Sequence, residues 1–321
     1  MTQARFRSLA WATLAVTLLV ILWGALVRAT DSGDGCGSNW PMCHGEVLPR
    51  PKTLEMLIEL THRVSSGGVL GVLILVEVVW AFRAFPKAHP VRKGAIATLI
   101  LLITESLLGA ALVLLKHVGQ DRSVGRAVWM AIHLANTFSL IAALAVTAFW
   151  AKHALAPRLR GQGRVGILIA TGTLGTMVVG ISGALTALGD TLFKPKTLLQ
   201  GLSDDIAPAA HFLQQLRVLH PVAAVLCAVF LLYARTAIAE LRPSPEVKRW
   251  SLALGILVIA QLALGFVNLA LLAPIWMQLV HLLFADLVWI AFVLLAAAAL
   301  GEPAAQPAID APEPSWPPSP G

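Results

Sequence analysis

The sequence predicts an all-α integral membrane protein, with eight transmembrane helices arranged as two related four-helix bundles in a parallel internal repeat. Three observations lead there. Hydrophobic residues make up 57% of the 321 and charged residues only 13%, too few charges to solvate the surface of a soluble domain of this size. Apolar stretches of about 20 residues, the length that crosses the hydrocarbon core as a helix, recur eight times. The order of features in the first four stretches then returns in the last four.

The apolar runs fall at 9–29, 57–82, 95–115, 128–150, 165–187, 212–234, 250–272 and 276–299. The first is too long for the apolar region of a signal peptide and no Ala-x-Ala-like site follows it, so it is expected to be a retained span. An even number of spans puts both termini on one side. Lys and Arg decide which: the loops on the terminal side hold 14 and those on the opposite side hold 8, so both termini are expected in the cytoplasm and the protein in the cell membrane. The net charge of +7 lies in short clusters between apolar runs, with no continuous basic stripe. Membrane lipid, not nucleic acid, is the partner this distribution implies.

The same orientation places the loop with Cys36 and Cys43 outside, where a disulfide can form and persist; two reduced loop thiols are the alternative. Cys227, alone in an apolar run, reads as a small hydrophobe. Residues 301–321 are rich in Pro, Ala and Glu and read as a disordered cytoplasmic tail.

The repeat is carried by short matched segments. The third span holds Thr104-Glu-Ser-Leu-Leu-Gly109 and the seventh holds Ala260-Gln-Leu-Ala-Leu-Gly265. The fourth opens on Trp129-Met130 with His133 close behind, and the eighth opens on Trp276-Met277 with His281 close behind. His62 and His220 occupy equivalent places in the second and sixth spans, and the first and fifth both contain a Gly-Ala-Leu step, at Gly24 and Gly183. An even number of helices per half makes the repeat parallel. Each half is then a four-helix bundle able to hold a cofactor in its core: residues 1–153 form the N-terminal half and 154–300 the C-terminal half. Glycines such as Gly67, Gly68 and Gly71 are expected to permit close helix approach.

His62, His133, His220 and His281 sit one on each even-numbered span, roughly 22–30 Å from the cytoplasmic boundary at helical rise. Two imidazoles on facing helices can clamp a heme iron from both sides while the apolar bundle shelters the macrocycle. Zinc would normally recruit further ligands. His44, His89, His117 and His153 belong to loops or span boundaries, and His211 begins the sixth span too far from His220 to share an iron.

The halves differ at one place. Glu55, Glu59 and His62 follow an i, i+4, i+7 pattern and share a helix face, whereas the second half has Arg217 where the first has Glu59. An ionisable group at the membrane edge beside a heme is a functional candidate, although a salt bridge to Arg63 or a loop contact would also account for Glu59. Glu55 reads as more exposed. Arg63 and Arg217 suit heme propionates by their planar guanidinium, or simply snorkel. Glu105 must face the bundle interior or be protonated, and its counterpart Gln261 points to a structural hydrogen-bond position.

These residues resemble the heme A synthases, over nearly the whole chain. The most specific segment is Glu55-x-x-x-Glu59-x-x-His62-Arg63, and the loop Ser32-Gly33 … Cys36 … Trp40-Pro41-x-Cys43 is similar to that family's first external loop. The resemblance implies conversion of heme O to heme A, by two successive hydroxylations of a ring methyl to a geminal diol that loses water. It implies that His62 and His133 flank the substrate heme and that Glu59 is the catalytic acid/base. His220 and His281 would hold a permanent heme b, and Cys36 and Cys43 would form a disulfide. A heme O synthase would supply the substrate, and an electron acceptor is required. One departure stands out: residues 188–211 lack the second cysteine pair that some members carry. A di-heme membrane cytochrome that only transfers electrons is the alternative reading, and a transporter with parallel repeats a more distant one.

Overall fold

The computed structural model describes residues 2–153 and 155–303. These residues are helical almost throughout. In order, the helices are α1 (Gln3–Ala29), α2 (Leu54–Arg63), a π-helical segment (Val64–Val69), α3 (Leu70–Ala84), α4 (Pro90–Leu114), α5 (Val124–Trp150), α6 (Gly163–Leu192), α7 (Leu198–Asp205), α8 (Phe212–Leu241), α9 (Pro245–Ala270) and α10 (Ile275–Leu300). With α2, the π segment and α3 forming one continuous rod, eight helices among the described residues are long and apolar enough to cross a membrane. All eight expected spans are present, and the chain is a multi-pass membrane protein.

Most helix starts are written in the chain. Thr2, Thr53, Ser123, Thr197 and Ser244 each accept a hydrogen bond from a first-turn N–H, which satisfies one of the donors a helix leaves unpaired. Pro90 and Pro245 occupy the first helical position, where a missing N–H costs nothing. The helices overrun the apolar stretches at several ends, as α8 does in reaching Leu241, because backbone pairing continues after the side chains turn polar. The one pair of strands among the described residues joins β1 (Leu155–Pro157) to β2 (Gly301–Pro303), antiparallel. The first three residues of the expected tail are thus paired, and 304–321 lie outside the described residues.

Helices α1, α3, α4 and α5 pack against one another, as do α6, α8, α9 and α10, and the two groups meet where α1 and α5 face α6 and α10. At that seam the Phe138 and Trp289 rings stack with centroids 5.5 Å apart, and Trp289 Nε1–H donates to the Phe138 carbonyl at 2.8 Å. Helix α6 reaches this layer through glycine. A Cβ at Gly180 would lie 2.5 Å from the Phe138 ring, and one at Gly172 would collide with Phe292. Arg28, near the end of α1, ties across the seam, donating to the Ala187 carbonyl (2.5 Å), Thr191 Oγ1 (2.9 Å) and Gln278 Oε1 (3.0 Å).

The expectation for Gly67, Gly68 and Gly71 is corrected: no atom lies within 4 Å of a Cβ built at any of them. Gly67 and Gly68 belong to the π segment and border a cavity instead of a neighbouring helix. The two kinds of glycine should separate in a melt. Gly172→Ala should destabilise detergent-purified protein by about 1–3 kcal/mol through overpacking. Gly71→Ala should be neutral or mildly stabilising, since alanine is the better helix former; equal thermal midpoints for the two would contradict this packing.

Candidate functional site

A cavity of about 1400 Å³ opens between the helices of both halves, and His62, His133, His220 and His281 all line it. Each imidazole is seated on a glycine of the preceding long helix. A Cβ would lie 2.8 Å from the His62 ring at Gly24, 3.8 Å from His133 at Gly109, 2.9 Å from His220 at Gly183 and 3.2 Å from His281 at Gly265. At Gly24 and Gly183 that is closer than a real side chain tolerates, so only glycine leaves the ring its place; at Gly265 the contact would be tight, and at Gly109 ordinary. His62 lies within electrostatic range of His133, and His220 of His281. The π segment begins just beyond His62, whose carbonyl accepts from the hydroxyls of Ser65 (3.1 Å) and Ser66 (2.7 Å). Such segments interrupt helices frequently at functional sites.

Nitrogen atoms of these rings are left over. The Nδ1 atoms of His62, His133 and His281 are buried with no partner among the described residues, while His220 Nδ1 lies 3.0 Å from Ser182 Oγ. His133 Nε2 stands 3.6 Å from Glu105, and His281 Nε2 stands 3.3 Å from the Gln261 amide. Glu105 accepts from Asn136 Nδ2 (2.6 Å) and from the Thr137 hydroxyl, making the structural bonds expected of that position. Leu102, Leu134, Val225, Leu262 and Leu282 are among the apolar residues that complete the walls. A large apolar cavity with paired imidazoles and unsatisfied ring nitrogens fits a flat macrocycle that carries its metal between axial nitrogens.

The carboxylate beside the first pair is built into the loop above it. Cys36 and Cys43 are joined in a disulfide, and both are fully buried. Glu59, 3% exposed, accepts from the Cys36 N–H at 2.7 Å with one oxygen and from Arg63 Nε at 3.0 Å and Arg63 Nη2 with the other. Arg63 also donates to the carbonyls of Asn39 (2.5 Å) and Met42 (2.8 Å). Glu59 therefore takes part in the salt bridge and the loop contact that the sequence offered as its alternative role, and it lines the cavity as well. Arg63 is occupied by the loop. Glu55 is exposed and lies outside the cavity wall.

In the second half Arg217 donates to the Phe193 carbonyl (2.7 Å) and to Asp205 at the end of α7, with Asp190 at 3.6 Å. Each half thus ties a loop down to the cavity rim through one arginine.

Two lining residues counted in the sequence only as loop charges belong to the cavity itself, Arg28 and Arg126. Their spacing carried the signal: Arg28 stands one turn beyond Gly24, and Arg126 two turns before His133, each on the same helix face. The loop before α5 holds Arg126 in place. There Asp121 lies below the usual carboxylate range, its partial desolvation outweighed by hydrogen bonds from His117 and Ser123.

Residues 7–293 match the family model COX15-CtaA, described as cytochrome oxidase assembly protein. The chain belongs to this family. Among curated relatives, a Thermus thermophilus protein named protoheme IX farnesyltransferase is 50% identical over 298 residues, 92% of this chain and 49% of that protein. The chain therefore spans about half the length of this relative and of its counterpart in a second strain of the same species. Proteins named heme A synthase match over shorter stretches. That of Alkalihalophilus pseudofirmus is 35% identical over 147 residues, 44% of this chain and 46% of that protein. That of Lysinibacillus sphaericus is 44% identical over 111 residues, 34% of this chain and 36% of that protein.

In this member the loop clasp makes a quantitative demand. Arg63→Ala leaves the Glu59 carboxylate buried and without its cation, and breaking such a pair costs about 3–5 kcal/mol. A large fall in thermal midpoint is expected for Arg63→Ala, and almost none for Glu55→Ala. Equal midpoints would contradict the clasp.

Proposed function

We propose that this protein is a heme A synthase, an oxidoreductase that converts heme O to heme A by oxidising a ring methyl to formyl through successive hydroxylations. The observation that carries the reading is the set of four glycine-seated histidines around one cavity, in a chain of the cytochrome oxidase assembly family. Residues 1–153 hold the substrate between His62 and His133, and residues 154–300 hold a permanent heme b between His220 and His281, which supplies one-electron chemistry when bound. Relatives named heme A synthase support the substrate class.

The Thermus relatives are named for farnesyl transfer to protoheme IX, in chains about half matched by this one. That activity does not by itself fall to the matched half, but it supplies farnesylated heme, the substrate this reading requires. A heme O synthase is accordingly the upstream partner.

The two histidine pairs are assigned different tasks because their surroundings differ. Among the described residues the first pair has a buried carboxylate from its own helix, Glu59, at the cavity wall, whereas the carboxylates lining the second half, Asp190 and Asp205, come from other helices and face Arg217. The Cys36 N–H and the Arg63 guanidinium hold the two oxygens of Glu59 in a fixed orientation. Glu59 accepts a proton as the methyl carbon is oxidised, the work of a positioned general base, while the electrons pass to the external acceptor that the reaction requires. The second pair has Arg217 in that place, engaged with Asp205. The disulfide also supports an external position for the Cys36/Cys43 loop, with both termini in the cytoplasm and the protein in the cell membrane.

The test is to co-express the protein with a heme O supply and analyse extracted hemes by mass. Heme A and a hydroxylated intermediate are expected. Two bound b-type hemes with no heme A would overturn the enzyme reading in favour of the electron-transfer cytochrome. Glu59→Gln should lower heme A formation on the order of 10²-fold or more while the protein still binds heme; full turnover would remove Glu59 from the mechanism.

A further inference from the structure

Arg126 carries a buried cation with an unused donor. Its side chain sits in the first turn of α5 and is 4% exposed. Nη1 donates to the carbonyls of Gly119 and Asp121, the latter at 2.8 Å. Both acceptors are neutral. Nε is buried without a partner, and among the described residues Nη2 makes no hydrogen bond and no carboxylate oxygen comes within the 4.0 Å of an ion pair. Asp31, Asp34 and Asp121 act on it only from longer range, and Asp31 already accepts from Gln120 at 2.5 Å. Buried cations in proteins are normally paired, so this one is incomplete.

The free donor is the informative part. Nε is closed off by the surrounding protein, and Nη2 is the guanidinium nitrogen that keeps both accessible surface and an unused donor, able to make a charge-assisted hydrogen bond to a carboxylate oxygen. The loop preceding α5 fixes that donor. His117 lies 2.8 Å from Asp121, Asp121 accepts from the Ser123 N–H and hydroxyl at 2.8 and 2.9 Å, and the loop carbonyls then pin Nη1. Arg126 lines the same cavity as His133, two helical turns away on one face, about 10 Å along the axis. The position seven residues before His281 in the second half is Pro274, so no cation recurs there. Arg217, the cation of that half, is already paired with Asp205.

We infer that Arg126 is the receptor for a carboxylate of the porphyrin held between His62 and His133. The inference rests on the heme reading above and adds to it a contact that distinguishes the first site from the second. A porphyrin carboxylate would complete the guanidinium, and the metal-bearing ring would extend from it toward the two imidazoles.

The test compares porphyrins that differ only at their carboxylates. Full-length protein in detergent, as wild type and as His281→Ala to silence the second pair, is titrated with iron protoporphyrin IX and with its dimethyl ester, followed by Soret absorbance. The acid should bind the first site about tenfold or more tighter than the ester, the scale of a charge-assisted hydrogen bond. Arg126→Gln should remove that preference by weakening the acid alone, and Arg126→Lys should restore part of it.

Equal binding of acid and ester by the wild type overturns the inference, and this comparison needs no Arg126 variant to fold. Loss of both ligands alike in a folded Arg126→Gln protein overturns it too. Binding of neither porphyrin by the wild type is a different result: it removes the heme reading itself, and this contact with it.

Discussion

An imidazole needs room that an apolar helix bundle does not ordinarily leave, and this structure sets a glycine opposite each ring, indispensable for His62 and His220, tight for His281 and in ordinary contact with His133. Gly24, Gly109, Gly183 and Gly265 each face one histidine from the preceding long helix. The rings sit close to helix backbones and line one cavity, and three of them keep an Nδ1 without a partner among the described residues. Interiors are close-packed, so a methyl group at the tightest of these seats would move a ring and leave the cavity lined differently.

The second constraint is the attachment of loops to the rim of the cavity. In the first half Glu59 and Arg63 clasp the disulfide loop through its backbone; in the second Arg217 clasps the end of α7 through Asp205. The two clasps use opposite charge at the position preceding the histidine by three residues. Both clasps bring a carboxylate and a guanidinium to the cavity wall, but the histidine's own helix supplies the carboxylate, Glu59, in the first half and the guanidinium, Arg217, in the second, where Asp190 and Asp205 come from other helices. That exchange of charge is the physical basis for the proposal that the two histidine pairs have different tasks.

The fold was legible in the sequence because membrane spans are written in hydropathy. Burial in hydrocarbon requires long apolar runs whatever the tertiary contacts, and each of the eight appears as a helix. The histidines were legible for the same reason, since polar side chains stand out in such runs. What the sequence concealed depends on contacts between distant segments. Gly67 and Gly68 look like packing glycines but lie in a π segment at the cavity. Glu59 shows its helix face in the sequence, but its bond to Cys36 arises only once the loop folds back. Arg126 counts as a loop charge until the turn before α5 encloses it.

The central claim is that the two histidine pairs bind different hemes. Its most direct measurement is the pigment that remains when each pair is broken in turn, with His62→Ala and His281→Ala proteins purified after co-expression with a heme O supply and their hemes extracted and identified. His62→Ala protein should retain heme b and lose the farnesylated heme, and His281→Ala protein should show the reverse. The same pigments in both variants, or the loss of all heme from each, would contradict the division of labour between the halves.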